Sequence, residues 1–303
     1  MHGRKGTLVV IGGPTASGKT AAACAVARVL GTGVISADAR QFYHAMRIGT
    51  ARPQADELQG VPHHFLGHLE LTETWSAGTF ARAAEPVLQE LIARHGVAVM
   101  AGGSGLYVDA VLHGLDPLPT ADAALRRHLQ ERLEAEGLDA LVRELEQRDP
   151  AHWAVMDRRN PHRVLRALEV CIRTGLPYSS QRTAPAERTD LEIRRFALDL
   201  PRTELYSRID ARVDHMMAEG LLEEARALLP FRHLNALNTV GYKELFAHFD
   251  GTCTLPEAVA LIKQHTRNYA KRQLTWLRRD PGWRWVRGPD DVEAALADLR
   301  SVS

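Results

Sequence analysis

An eight-residue stretch near the start of the chain, Gly13-Pro14-Thr15-Ala16-Ser17-Gly18-Lys19-Thr20, constrains the fold more than any other feature. It fits the pattern GxxxxGK[ST]. It lies between an apolar run, Thr7 to Gly12 (TLVVIG), and a helix-forming stretch from Ser17 to Leu30. Strand, glycine-rich turn and helix in that order make a phosphate cradle. Glycines let backbone N–H groups converge on phosphate oxygens, and the helix N-terminus adds a favourable dipole. Lys19 supplies a point charge, and the Thr20 hydroxyl is placed to hold Mg²⁺.

A cradle of this kind belongs to a parallel sheet, and the next hundred residues supply one. Gly33 to Ala37 (GVISA) and Val97 to Ala101 (VAVMA) read as strands, with helical spacing from Ser76 to His95 between them. Arg195 to Leu200 and Trp283 to Val286 are two shorter strand candidates. From residue 121 to 194 the strand signal nearly vanishes, and Arg, Glu and Leu recur at helical spacing. Asn160-Pro161 is a good helix start, and Gly175-Leu176-Pro177 a good stop. The expected architecture is α/β: a P-loop-type parallel core from 1–120 and 195–303, with 121–194 inserted as a helical domain. The segment from 202 to 303 should be mostly helical. A length of 303 residues fits two domains at roughly 150 each.

Other classes are excluded by what is missing. Cys24, Cys171 and Cys253 lie far apart with no CxxC pair, so neither a disulfide framework nor a cysteine zinc site is indicated. The N-terminus has a basic start, His2 to Lys5, but its apolar run, Leu8 to Ile11, is too short for a signal peptide or a membrane span. A cytoplasmic protein is the expectation. His63, His64 and His68 are close, but no carboxylate or cysteine completes a ligand set around them.

The cradle does not name the reaction. No NKxD signature for guanine occurs, and the strand at 97–101 ends in Gly102-Gly103-Ser104-Gly105 rather than in an aspartate. The carboxylate that does follow a strand is Asp38, in Ile35-Ser36-Ala37-Asp38. Ligands of open α/β sheets bind at the carboxyl ends of strands, so Asp38 and Ser104 should both face the cradle.

These residues together resemble the tRNA dimethylallyltransferase family, also called tRNA isopentenyltransferases, in its bacterial type. The resemblance runs through GPTASGKT at 13–20, ISADARQFYHAMRIGTARP at 35–53, Pro62-His63-His64-Phe65 and AGGSGLYVDAVLHGLDPLP at 101–119. It continues through RNPHRVLRALEV at 159–170, VGYKEL at 240–245 and TRNYAKRQLTWLRR at 266–279. The zinc-finger extension of some eukaryotic members has no counterpart in this sequence. The resemblance implies transfer of a dimethylallyl group from dimethylallyl diphosphate to N6 of adenosine 37 in tRNA. By the same resemblance, residues 13–20 would bind the donor diphosphate, and Asp38 would contact the adenine amine as general base. Ser104 stands where the family usually has threonine. Asp38, Ala39, Arg40 and Gln41 would touch the tRNA, as would His162, Arg163, Val164, Leu165 and Arg166. Arg226, in GLLEEAR, matches a family arginine that assists the diphosphate. Two departures fall beside the acceptor site: Ala39 replaces a serine, and His44-Ala45-Met46-Arg47 replaces Arg-Gly-Met-Asp.

Net charge at first argues against a nucleic-acid partner, since 38 Lys and Arg oppose 37 Asp and Glu. The distribution argues otherwise. Residues 158–182 and 263–279 together hold twelve bases and one acid, while 131–149 carry seven acids to three bases. In the first basic segment Arg166 and Arg173 share a helical face, while Val164, Leu168 and Cys171 share another that should pack inward. In the second, Lys263, Arg267, Lys271 and Arg278 form one stripe. Such stripes suit phosphate contacts, which position RNA without reading its sequence. The two segments are expected to grip an anticodon stem-loop, with Lys271 and Arg278 among the contacts, and a monomer suffices. Two rival readings remain: an adenylate isopentenyltransferase acting on free nucleotide, and a small-molecule P-loop kinase.

Overall fold

The computed structural model describes residues 5–183 and 188–297, so most of the basic start at His2 to Lys5 lies outside the described residues. The chain opens with β1 (Thr7–Gly12), every residue of which is buried. An apolar run without alternation is what a strand covered on both faces requires. Then come α1 (Lys19–Val29), β2 (Val34–Ser36), the two-residue β3 (His63–His64), α2 (Ala77–His95), β4 (Val97–Gly102) and α3 (Gly105–His113). Ser76 caps α2 by accepting the Thr79 N–H at 3.1 Å. Four helices follow, α4 (Ala123–Glu136), α5 (Leu138–Arg148), α6 (Pro150–Val155) and α7 (Pro161–Thr174). The chain then returns to the sheet through β5 (Glu192–Leu198). It continues in α8 (Arg202–Ala218), α9 (Leu221–Leu228), α10 (Tyr242–Phe249), α11 (Leu255–Leu277), β6 (Arg284–Val286) and α12 (Pro289–Ala295).

All six strands are parallel, in the order β3-β2-β4-β1-β5-β6. Alternate residues of the central strands feed two cores. Leu8, Val10, Ala98 and Met100 pack on one face with Phe80, Val108, Leu221, Tyr242 and Ala258. Val9, Ile11, Val97 and Val99 pack on the other with Ala22, Val26 and Val292. The helices therefore cover both faces, and the loops at the carboxyl ends of β1, β2 and β4 share one edge. The expected strands are all present. β3 was not anticipated, being an edge strand of two residues within a polar stretch.

The described residues form two compact units, one reaching to Leu112 and resuming at Arg188, the other running from His113 to Thr183. Composition placed these boundaries at 121 and 194, and both fall earlier. The proline-rich segment before α4 is tied to α7: Arg166 donates to the Pro119 carbonyl at 2.8 Å, Arg173 to that of Thr120, and the Asp122 N–H to Glu169 at 2.7 Å. At the other end, Glu192 to Arg194 already pair with Thr7 to Val9. Within the helical unit, Leu129, Leu141, Leu145, Val164, Leu168 and Cys171 form the core. Glu169 is wholly buried there. Burial opposes its charge, but hydrogen bonds from Arg166 and the Asp122 N–H hold its carboxyl below the usual range.

Candidate active site

The turn from β1 into α1 is held from three sides. Ser17 N–H donates back to the Pro14 carbonyl at 3.2 Å, and Lys19 Nζ reaches the same carbonyl at 2.8 Å. Ala16 has φ 64°, a left-handed backbone that costs a side-chain-bearing residue on the order of 1–3 kcal/mol. A partner from far along the chain fixes it: Gln273 of α11 accepts the Thr15 N–H at 2.7 Å and donates to the Gly103 carbonyl at 3.0 Å. One buried side chain thus buckles the cradle to the turn after β4. Ser17 Oγ is buried without a protein partner. Burial pushes the Lys19 ammonium down to about 8, with Asp38 opposing that shift and Arg212 reinforcing it.

Asp38 sits half-buried two residues beyond β2, in a turn closed by the Gln41 N–H on its carbonyl at 3.1 Å. The sheet brings this turn against the end of β4. A Cβ at Gly102 would lie 2.1 Å from the Ala37 carbonyl oxygen, so only glycine admits the approach. Ser104 Oγ accepts the Ala39 N–H at 3.0 Å, and Tyr269 shares a hydrogen bond with the same hydroxyl. Burial raises the Tyr269 phenol above its ordinary range, and the Asp38 charge adds to the shift. Phe42, next after the turn, is buried among His68, Trp75, Phe80 and Tyr107 at centroid distances of 5.4–5.8 Å. Its burial contributes about 2–3 kcal/mol and anchors the turn from below.

Cradle and turn open onto one cavity of about 550 Å³. Its walls include Thr15, Gly18, Lys19 and Thr20 of the cradle, Asp38 and Gln41 of the turn, and Arg47 to Gln54 apart from Gly49. Arg212 of α8 also lines it, with its guanidinium largely buried and affected by the Asp38 and Glu57 charges. Arg212 was not anticipated. Arg226 was expected on the diphosphate but does not line this cavity: it is exposed on α9, its guanidinium 4.5 Å from the centre of the Phe249 ring. The burial pattern of α9 explains the difference, since Leu221, Ala225 and Leu228 turn inward and 226 does not.

The residues expected on tRNA divide in the same way. Arg40 donates to the carbonyls of Asn235 and Ala236 at 2.9 and 3.0 Å, so its guanidinium braces the turn. On α7, His162 and Arg163 are exposed, whereas Val164 is fully buried in the helical core, which removes its side chain from any RNA contact. Leu165 packs half-buried on that core, and Arg166 pairs with Glu169 at 2.8 Å. On α11, Lys263 and Arg267 pair with Asp214 and Asp210 of α8 at 2.6 and 2.5 Å. The stripe without acids in its own sequence is therefore half neutralised by a neighbouring helix. Lys271 and Arg278 remain exposed and have no carboxylate partner among the described residues; Arg278 lies 5.8 Å from the Trp285 ring centre. Among the described residues, no group of three or more His, Cys, Asp or Glu could hold a metal ion, and no helix is long and apolar enough to cross a membrane.

A doubly covered parallel sheet whose first strand runs into a lysine-bearing phosphate cradle, with a carboxylate lining the same cavity, is a P-loop-like architecture. A family model described as IPP transferase matches residues 41–280, and the chain belongs to that family. It is 45% identical over 287 residues to a tRNA dimethylallyltransferase of Bacteroides thetaiotaomicron, covering 95% of this chain and 93% of that one. To a tRNA dimethylallyltransferase of Christiangramia forsetii it is 48% identical over 278 residues, covering 92% of each. Its fold is that of a full-length tRNA isopentenylpyrophosphate transferase from Bacillus halodurans, with a TM-score of 0.72 at 35% identity over 98% of this chain and 97% of that chain.

Proposed function

We propose that this chain transfers a dimethylallyl group from dimethylallyl diphosphate to N6 of adenosine 37 in the anticodon loop of tRNA, releasing diphosphate. One observation carries the reading: Lys19 and Arg212 share a single cavity with Asp38. A diphosphate leaving group needs cations and converging amides where its charge develops, and a weak amine nucleophile needs a base within reach. N6 attacks the allylic carbon, the carbon–oxygen bond to diphosphate breaks, and the amine proton passes to Asp38. Ser104 and Tyr269 hold the Asp38 turn through the Ala39 N–H. The target base must leave its stack to enter the cavity, which costs least in a single-stranded loop.

Magnesium fits this site. The ion takes one or two protein oxygens with phosphate oxygens and waters, and Thr20 Oγ1 on the cavity wall is such a ligand. The Ser17 hydroxyl is buried in the same cradle without a protein partner, but it does not line the cavity. When bound, the ion would neutralise charge on the diphosphate; binding, orientation and proton transfer fall to the residues named. Exposed His162 and Arg163, with Lys271 and Arg278, would contact phosphates of the tRNA. On this reading the working unit is a monomer in the cytoplasm.

The test is incubation with labelled dimethylallyl diphosphate, Mg²⁺ and unmodified tRNA, followed by location of the label. Label on N6 of adenosine 37 supports the reading. Label on AMP in a parallel reaction, with none on tRNA, replaces it with the free-nucleotide enzyme. Transfer of phosphate from ATP replaces it with a kinase.

A further inference from the structure

The loop that forms the cavity wall beside the Asp38 turn carries a strained residue, Ala51, whose φ of 47° puts a side-chain-bearing residue in the left-handed region. Such a conformation persists only where the surroundings over-determine it. The loop closes on itself through the Ala51 N–H on the Ile48 carbonyl at 2.9 Å and the Arg52 N–H on that of Arg47 at 3.0 Å, and one carboxylate clamps its first half. Glu224 of α9 accepts three consecutive backbone N–H groups, those of Arg47 and Ile48 on Oε2 at 3.0 and 2.8 Å and that of Gly49 on Oε1 at 2.9 Å. Tyr242, fully buried at the start of α10, donates its hydroxyl to Oε1 at 2.7 Å. Its ring presses on the loop so closely that a Cβ at Gly49 would lie 2.5 Å from it. Three converging amides make a concavity for an anion, and Glu224 fills it from within the protein.

The held loop in turn holds the acceptor turn. Gln41 Nε2 donates to the carbonyls of Thr50 and Ala51 at 3.2 and 3.0 Å. We propose that Glu224, oriented by Tyr242, is a positioning residue for the transfer reaction: it fixes loop 47–51, and the loop carbonyls fix Gln41 and with it the Asp38 turn. This inference rests on the functional reading above. A carboxylate is needed because every group facing it is a donor. A glutamine at 224 turns its own NH₂ towards at least one N–H, whichever way the amide lies. The phosphate cradle has its own brace in Gln273, and among the described residues it makes no hydrogen bond to Glu224, to loop 47–51 or to Gln41.

The experiment is steady-state transfer to unmodified tRNA by E224Q, Q41A and the double variant, with calorimetric binding of inorganic diphosphate to each. E224Q should lower kcat by about 10- to 100-fold, the range expected for misplacement by about 1 Å. The KM for dimethylallyl diphosphate and the binding of inorganic diphosphate should stay within about twofold. The double variant should be no slower than the slower single one, because the two residues act along one path. Unchanged kcat in folded E224Q overturns the proposal. So does diphosphate binding that falls as far as kcat, or losses that multiply in the double variant. If E224Q does not melt cooperatively, Y242F carries the same test, with a kcat loss of about 3- to 10-fold that is again not additive with Q41A. Wild-type protein that leaves tRNA unlabelled sinks the functional reading and this inference with it, an outcome distinct from active wild type with an equally active E224Q.

Discussion

The phosphate cradle and the Asp38 turn face the same cavity but are built by opposite means. The cradle is contiguous: eight successive residues supply its backbone amides, its lysine and its hydroxyl, and a single distant side chain, Gln273, steadies it. The turn is assembled from afar. Ser104 holds its Ala39 N–H, Arg40 ties it to the segment before α10, Gln41 ties it to loop 50–51, and Phe42 sinks beneath it. A leaving group of fixed shape can be met by a preformed local nest, whereas a nucleotide swung out of an RNA loop must be met by groups set at a distance from one another. The site spends its long-range contacts where the substrate is most variable.

That contrast can be broken by mutation. Asp38→Ala should lower kcat by about 10²–10⁴ with tRNA binding nearly kept, measured by single-turnover transfer and filter binding. Unchanged turnover removes Asp38 as the base. On the cradle side, Arg212→Ala should raise the donor KM about 10- to 100-fold, the worth of one charge-assisted hydrogen bond, and Arg226→Ala should leave it within about twofold. The reverse ranking would return the diphosphate to Arg226.

Two smaller effects sharpen the picture. Lys19 is lowered to about 8 in the free protein, so it carries its charge below that pH and loses it as pH rises through 8. Diphosphate binding favours the charged form, so the contribution of Lys19 to affinity is present below pH 8 and is lost as pH rises above it. A calorimetric titration that stays flat to pH 9.5 contradicts the assignment. Smallest is the salt dependence of tRNA binding. Lys271→Ala should reduce the slope of log affinity against log salt by roughly 0.7, while Lys263→Ala and Arg267→Ala leave it unchanged. Asp214 and Asp210 already neutralise those two.

Much of this was legible in the amino-acid order. Apolar runs set the strands, the Asn160-Pro161 and Gly175 signals set α7, and the cradle read itself out residue by residue. What escaped has a common form. Arg212 lies in helical register with Leu205 and Ile209, Glu224 with Leu221 and Leu228, and Gln273 with Ala270 and Leu277, each a polar residue on an inward-facing stripe. Arg226, chosen instead, is off its stripe. A charge in an apolar register must find a buried partner, and that partner is set by tertiary packing rather than by neighbours in sequence. The paired Lys263 and Arg267 teach the converse: a run of bases reads as free only until the acids of the next helix are placed beside it.

The strand order has a consequence for how the chain is made. β1 lies between β4 and β5, and Thr7 pairs with Val97 on one side but with Glu192 on the other. On a ribosome the first strand therefore emerges long before its second neighbour, and the whole helical unit is synthesised in between. At about 5–20 residues per second that wait is on the order of ten seconds, during which an apolar strand edge stays open to wrong partners. The helical unit closes on short-range contacts and can collapse meanwhile. Nascent chains stalled before β5 has emerged from the ribosome should thus be held by chaperones far more than those stalled once it has emerged.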